Sequence, residues 1–119
     1  MIKDRLLSLP NEIFEKKCHL IDKQQELEDI KMELKIWEMK EMNTITNLID
    51  VKGKPYYSNA EKRAVALQDA KDKSDFYDSK SIKAKILEKE ISLINIHLEK
   101  LFNEQGNLRA ICRLEGGLN

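Results

Sequence analysis

Proline, glycine, aromatic residues and cysteine are all scarce in this chain, which has two prolines, four glycines, two cysteines and 6% aromatics among 119 residues. So few turn-forming residues, combined with 35% charged residues, are typical of long amphipathic helices and disfavour a sheet protein. A disordered chain can carry as much charge, but it lacks the periodic apolar residues present here from Ile13 onward. The composition predicts an ordered, all-α protein, and the length predicts a single domain spanning residues 1–119.

Long apolar runs are also missing. No stretch approaches the roughly 18 residues needed to cross a bilayer, and the opening MIKDRLLSLPNEIF has too short an apolar segment for a secretory signal. We therefore expect a cytoplasmic protein without a membrane partner, in which Cys18 and Cys112 stay reduced. The 21 basic and 21 acidic residues cancel, which removes any global charge argument for a nucleic-acid or membrane surface.

The first predicted helix runs from about residue 10 to about residue 50. Its start is placed near Pro10, because proline is tolerated in an opening turn. A seven-residue repeat then predicts one stripe facing a partner helix, as in a coiled coil. The members of the repeat are Ile13, Leu20, Leu27, Leu34, Glu41 and Leu48, widened by Ile30, Trp37 and Ile45.

The middle segment, about residues 51–73, is predicted to contain a tip and a short helix. Ser58 and Glu61 match a capping box, in which the serine side chain accepts from the third helical N–H and the glutamate reaches back. Ser74 and Asp75 could cap a new helix, although one continuous helix fits the pattern almost as well.

The last predicted helix covers about residues 75–114 and has the strongest periodicity in the chain. Steps of three and four residues connect its apolar positions, and Lys80 and Gln105 occupy the two polar slots. The apolar positions are Tyr77, Ala84, Leu87, Ile91, Ile94, Leu98, Leu101, Leu108 and Cys112. Gly116 and Gly117 are expected to end this helix.

Two long helices of equal length around a short one predict an antiparallel helical hairpin that resembles a coiled coil. Each long helix carries more apolar surface than one partner can cover, which favours dimerisation into a four-helix bundle, or docking to another protein. The candidate self-association or docking flank comprises Met32, Ile36, Trp37, Met39 and Met42. Methionine tolerates imperfect fit, and Trp37 is the best hot-spot candidate if a different protein binds there.

No combination of residues predicts catalysis. His19 and His97 are expected to lie far apart in the hairpin, and neither has an acid at a motif spacing. A zinc site from Cys18, His19 and Cys112 would lack a fourth ligand. Without a glycine-rich phosphate loop or a nucleophile elbow, we predict no catalytic residues, no metal, no cofactor and no enzymatic activity.

The tip concentrates positive charge. Residues 51–74 contain 6 basic and 3 acidic side chains, a net charge of plus three, whereas residues 1–50 have a net charge of minus three. Cations interleaved with aromatics suit nucleic acid or an acidic protein surface, although a solvated turn explains the same composition. The candidate partner-binding residues are Lys52, Lys54, Tyr56, Tyr57, Lys62 and Arg63.

The tip motif KPYYSNAEKR and the ending LRAICRL, set among charged helices, resemble small coiled-coil proteins of phages and prophages of low-GC Gram-positive bacteria. The resemblance implies an accessory protein in the bacterial host cell that binds and modulates or inhibits a host or phage protein, such as a defence component. As an inhibitor it would act by occluding a functional surface. The alternative is a nucleic-acid-binding accessory protein of phage replication or recombination that uses the basic tip.

Overall fold

The computed structural model describes residues 1–117, and three α-helices account for most of them. The helices are α1 (Ile2–Asn47), α2 (Ala60–Lys73) and α3 (Asp75–Gly117). Within the described residues there is no strand, and the only β-type contact is an isolated antiparallel bridge between Ile49 and Pro55. The predicted all-α helical hairpin is confirmed.

The chain forms two compact units. The first unit combines Met1–Glu26 with the described part of Leu87–Asn119, and the second unit is Leu27–Ile86. Both units contain part of α1 and part of α3, and the second unit also holds α2.

In the first unit, α1 and α3 pair in antiparallel directions. Arg5 near the start of α1 binds Glu104, whereas Lys23 further along α1 binds Glu90 at 3.0 Å. Between these ion pairs lies an apolar core, because the seam positions of both helices bring their side chains together. The buried members of this core are Leu9, Ile13, Ile94, Leu98 and Leu101, with Leu20 and Leu108 packed against them.

The second unit has a thinner core. Ile30, Ile45 and Ala84 are buried, but α2 contains no buried residue. Polar contacts therefore contribute to holding α2 in place, including an ion pair of 3.0 Å between Lys71 Nζ and Glu38 Oε1. Tyr77 of α3 bonds to Glu38 of α1, whereas Lys80, further along α3, pairs with the earlier Glu33 at 2.8 Å. The two long helices therefore also run antiparallel within this unit.

The predicted start of the first helix near Pro10 is wrong, because α1 begins at Ile2 and Pro10 lies inside it. An interior proline costs about 3 kcal/mol, since it lacks the N–H that the carbonyl of Leu6 would accept. Two interactions of neighbouring residues offset this cost. Leu9 is completely buried, and Arg5 binds Glu104. At the other end, α1 stops at Asn47, slightly before the predicted end at about residue 50.

A real break separates α2 from α3, so the two-helix alternative is the correct one. Ser74 has an extended backbone (φ −90°, ψ 114°) and its N–H donates to the carbonyl of Lys71 at 3.2 Å. Its hydroxyl oxygen accepts from the N–H of Tyr77 at 3.0 Å, which caps the start of α3. One serine thus ends one helix and begins the next.

Two other boundary predictions need correction. The N-cap of α2 is Asn59 and not Ser58, because the Asn59 side-chain oxygen accepts from the N–H of Lys62 at 2.8 Å. Asparagine and serine are equally good caps, so the local sequence did not discriminate between neighbours. Helix α3 continues past residue 114 to Gly117, so the prediction that Gly116 and Gly117 stop it is wrong for Gly116, which lies inside the helix. Residues after Gly117 lie outside the described part of the chain.

Candidate functional site

The connection between α1 and α2, residues 48–59, is a tightly bonded turn that we call the tip loop. One Asp50 carboxylate oxygen accepts from the N–H of Lys52 at 2.8 Å and from the N–H of Lys54 at 3.0 Å. Gly53 has φ +78°, a conformation that costs a residue with a Cβ atom but not glycine. These bonds give the loop a defined conformation without a buried core of its own.

The Ile49–Pro55 bridge then closes the tip loop. Its two flanking hydrogen bonds run from the N–H of Asp50 to the carbonyl of Lys54 at 2.8 Å and from the N–H of Tyr56 to the carbonyl of Leu48 at 2.9 Å. Neither of these hydrogen bonds requires an N–H from residue 55. Proline, which has no backbone N–H, is therefore tolerated at this position without loss of a hydrogen bond. The bridge directs the chain after Pro55 back toward α2.

Tyr56 and Tyr57 consequently lie beside the first turns of α2, where they line an open groove of about 690 Å³ that we call the tip groove. The two rings meet edge to face, with centroids 4.9 Å apart and an interplanar angle of 74°. Tyr56 is 60% exposed and Val65, on the facing helix, is 59% exposed. The complete lining is Tyr56, Tyr57, Asn59, Glu61, Lys62, Val65, Ala66 and Asp69.

The structure separates the six predicted tip residues into two groups. Tyr56, Tyr57 and Lys62 line the tip groove, and half-buried Arg63 supports it by donating from Nη1 to the carbonyl of Tyr57 at 3.4 Å. The remaining two, Lys52 and Lys54, are exposed in the Asp50 turn and do not line the groove. Whether any of them binds a partner stays a prediction.

On the α2 side of the groove, sequence reasoning found only Lys62 and missed the other lining residues. Glu61, Val65 and Asp69 follow one another at four-residue spacing, which places them on one face of the helix. That spacing was a usable signal once α2 had been recognised. The groove therefore carries two carboxylates and one lysine, although the segment as a whole is basic.

The predicted flank on α1 also divides. Met32, Ile36 and Met39 are exposed, whereas Met42 and Trp37 are half-buried. Trp37 packs against Tyr77 of α3, with ring centroids 5.0 Å apart at an interplanar angle of 47°. Its ring thus already contributes to the second unit.

Tyr77, Glu38 and Lys71 form a polar cluster that joins all three helices of the second unit. The Tyr77 hydroxyl donates to Glu38 Oε1 at 2.8 Å, and the Lys71 amine lies 5.3 Å from the centre of the Tyr77 ring. Burial and the Glu38 hydrogen bond raise the pKa of Tyr77, and the Glu38 hydrogen bond raises the pKa of Lys71. Burial opposes ionisation of Glu38, but the hydrogen bonds from Tyr77 and Lys71 outweigh it and lower the Glu38 pKa.

The lowered pKa of Glu38 predicts that acid weakens the second unit. The folded state holds the Glu38 proton less tightly than the unfolded chain does. The stability contributed by ionised Glu38 is therefore present above pH 4.5, the ordinary pKa of a glutamate, and is lost as the pH falls through and below that value. We expect the unfolding free energy, measured by urea denaturation, to decrease from neutral pH down to about pH 3. Glu38→Gln should make this decrease smaller.

Tyr77→Phe is the matched comparison for that experiment. It keeps the ring against Trp37 but removes the hydroxyl that donates to Glu38, so it should also reduce the dependence on pH. Equal acid sensitivity of the unmodified protein and Glu38→Gln would contradict the assignment.

Within residues 1–117, no group of three or more histidine, cysteine or acidic side chains is arranged to hold a metal ion. Cys18 is exposed and Cys112 half-buried, and neither forms a disulfide. His19 lines a second, smaller pocket of about 310 Å³ with Lys23, Glu90, Leu93 and Ile94. No helix among the described residues is both long and apolar enough to span a membrane.

Comparison of the chain with protein-family models, with curated proteins and with solved structures finds no match. The functional proposal therefore rests on the geometry of the tip groove and the exposed faces of the helices.

Proposed function

We propose that this protein is a non-enzymatic interaction module that binds a protein partner through the tip groove. The observation that carries this proposal is the exposure of Tyr56 and Val65 on opposite walls of a groove whose loop is held by hydrogen bonds. Exposed apolar surface on a defined scaffold is typical of protein-binding sites, and tyrosine is enriched among residues that dominate binding energy.

The chemistry of the groove supports a peptide segment as the occupant. Val65, Ala66 and the two tyrosine rings provide an apolar lining for an aliphatic or aromatic side chain. Glu61 and Asp69 at the same groove favour a basic group next to that anchor. The exposed Lys52 and Lys54 lie outside the groove, where acidic residues of the same partner could approach them.

We further propose that binding occludes a functional surface of the partner. The resemblance to phage and prophage proteins supports a bacterial host or phage protein as that partner, for example a component of a host defence system. In this proposal the module contributes no chemistry, and its effect depends only on how completely it covers the partner's own site.

Substitutions in the tip groove test the proposal. In affinity capture from the native host, read out by quantitative mass spectrometry, we expect Tyr56→Ala and Val65→Glu each to reduce recovery of the specific partner at least about tenfold, as for hot-spot residues. Val51→Glu is the matched control, since Val51 is fully exposed in the tip loop but does not line the groove. Failure to recover a specific partner, or equal recovery by Val65→Glu, would refute the proposal.

Nucleic acid is the second candidate, and it is supported by the exposed Lys52 and Lys54 beside an exposed tyrosine. The carboxylates of Glu61 and Asp69 weigh against it, because they would repel a phosphate at the groove. The Lys52→Ala, Lys54→Ala double variant distinguishes the candidates: it should abolish a nucleic-acid complex but leave an apolar groove contact largely intact. Absence of any gel shift with DNA or RNA at low salt excludes this candidate.

A further inference from the structure

The N-terminal part of α1 has a second apolar row besides the one that forms the core. Leu7 is 80% exposed, Phe14 is 64% exposed and Ile21 is 63% exposed, all within the first unit. Exposed Asn11 and Cys18 lie between them, so the row advances in alternating steps of four and three residues. We call these five residues the outer face of α1.

The outer face points away from α3. The row toward α3 in the same stretch consists of Leu9, Ile13, Lys16, Leu20 and Lys23, and each outer-face residue lies two positions from a member of that row. Two positions along an α-helix correspond to a rotation of about 200° around its axis. Contacts made by the outer face therefore leave the core of the first unit undisturbed.

The spacing of the outer face is that of a coiled-coil seam. Asn11 and Cys18 occupy positions equivalent to a, and Leu7, Phe14 and Ile21 occupy positions equivalent to d. An asparagine at one a position is a common determinant of register in parallel two-stranded coiled coils. On α3 the exposed apolar residues Leu93 and Ile96 continue a row from Ile82 and Ile86 of the second unit. Further into the first unit that row ends, because Lys100, Asn103 and Asn107 occupy its next positions.

Charges beside the outer face determine the orientation of a partner helix. Glu15 and Asp22 lie on one side at e positions, and Lys17 lies on the other side at a g position, where its amine is 5.2 Å from the centre of the Phe102 ring. In a parallel pair a g residue faces the e residue five positions later in the other helix, so Lys17 of each copy meets Asp22 of the other. In an antiparallel pair the e rows face each other, and Glu15 and Asp22 would repel their counterparts.

From this pattern we propose that two copies of the chain associate in parallel and in register through the outer faces of their α1 helices. The α1 and α3 segments of two first units would lie as a row of four helices and not around one shared core, because the outer face is opposite the α3 side. The pairing uses residues different from the α1 flank of Met32, Ile36 and Met39, and it does not depend on the tip groove.

Cys18 provides a direct test, because parallel in-register pairing sets the two Cys18 side chains against each other. In the full-length Cys112→Ser variant, Cys18 is the only thiol. Incubated with oxidised glutathione, which accepts the two electrons, this variant should form a disulfide-linked dimer on a non-reducing gel. Phe14→Glu should reduce the linked fraction at least about tenfold, while Ile96→Glu, the same change at an exposed site of α3, should leave it unaffected.

Charge substitutions test the orientation, with helical content checked by circular dichroism. Lys17→Glu should lower the linked fraction, and adding Asp22→Lys to it should restore the fraction by reversing the ion pair. A dimer in light scattering that does not link through Cys18 would overturn the parallel register. A monomeric mass at every protein concentration without a cross-link, or linking unaffected by Phe14→Glu, would overturn the pairing itself.

Discussion

Leu101→Ala is expected to lower the free energy of unfolding by about 2 to 5 kcal/mol. Leu101 is 2% exposed and contributes to the core formed with Leu9 and Leu98. The loss combines the hydrophobic free energy of the removed carbons with the cost of the cavity that remains. Urea denaturation followed by far-UV circular dichroism measures it.

Leu93→Ala is the matched control, because it makes the same chemical change on the same helix at a site that is 56% exposed. We expect it to change stability by less than about 1 kcal/mol, since little apolar surface is lost and alanine is the better helix former. If both variants lost the same free energy, the assignment of the inward face of α3 would be wrong.

That inward face is the part of the fold that sequence reasoning predicted most completely. Of the predicted row, Ala84, Leu87, Ile94, Leu98 and Leu101 are buried, and its other members are half-buried. The polar slots at Lys80 and Gln105 are also half-buried, as members of the same row should be. A seam of three- and four-residue steps depends only on helical geometry, so it can be found without knowing the partner helix.

The start of α1 could not be found in the same way. Sequence rules place Pro10 in the opening turn of a helix, because inside a helix proline loses a backbone hydrogen bond to a residue only four positions away. The compensating interactions are not local: Arg5 binds Glu104, which lies 99 residues further along the chain, and Leu9 is buried against α3. The predicted seam position at Leu48 was wrong because α1 ends at Asn47, which leaves Leu48 in the tip loop and 46% exposed.

The tip groove lies between these extremes. The tyrosines and Lys62 stand out in the sequence through their chemistry, but Val65 and Asp69 do not. Their participation depends on the Ile49–Pro55 bridge, which decides which face of α2 the tyrosines approach. The spacing on α2 indicates a helix face, but a bridge of one residue pair leaves no periodic signal. Only the folded backbone therefore shows that the tyrosines meet that face.

Trp37 illustrates how one residue can fit both a structural and a binding hypothesis. Its position on an apolar flank made it a hot-spot candidate, yet its ring lies 5.0 Å from that of Tyr77. Tyr77 in turn bonds to Glu38, which holds Lys71 of α2. Because α2 has no buried residue, loss of the ring contact should loosen the attachment of α2 as well as the pairing of the long helices.

Trp37→Ala is accordingly expected to lower the unfolding free energy by about 2 to 3 kcal/mol, less than the 3 to 5 kcal/mol typical of a fully buried aromatic because the ring is half-buried. Urea denaturation followed by far-UV circular dichroism again provides the measurement. Met39→Ala on the same helix is the comparison, and we expect a change within about 0.5 kcal/mol because Met39 is 63% exposed. Equal stability of the two variants would mean that the Trp37 ring is not needed for the fold, and its role would then have to be sought in partner binding.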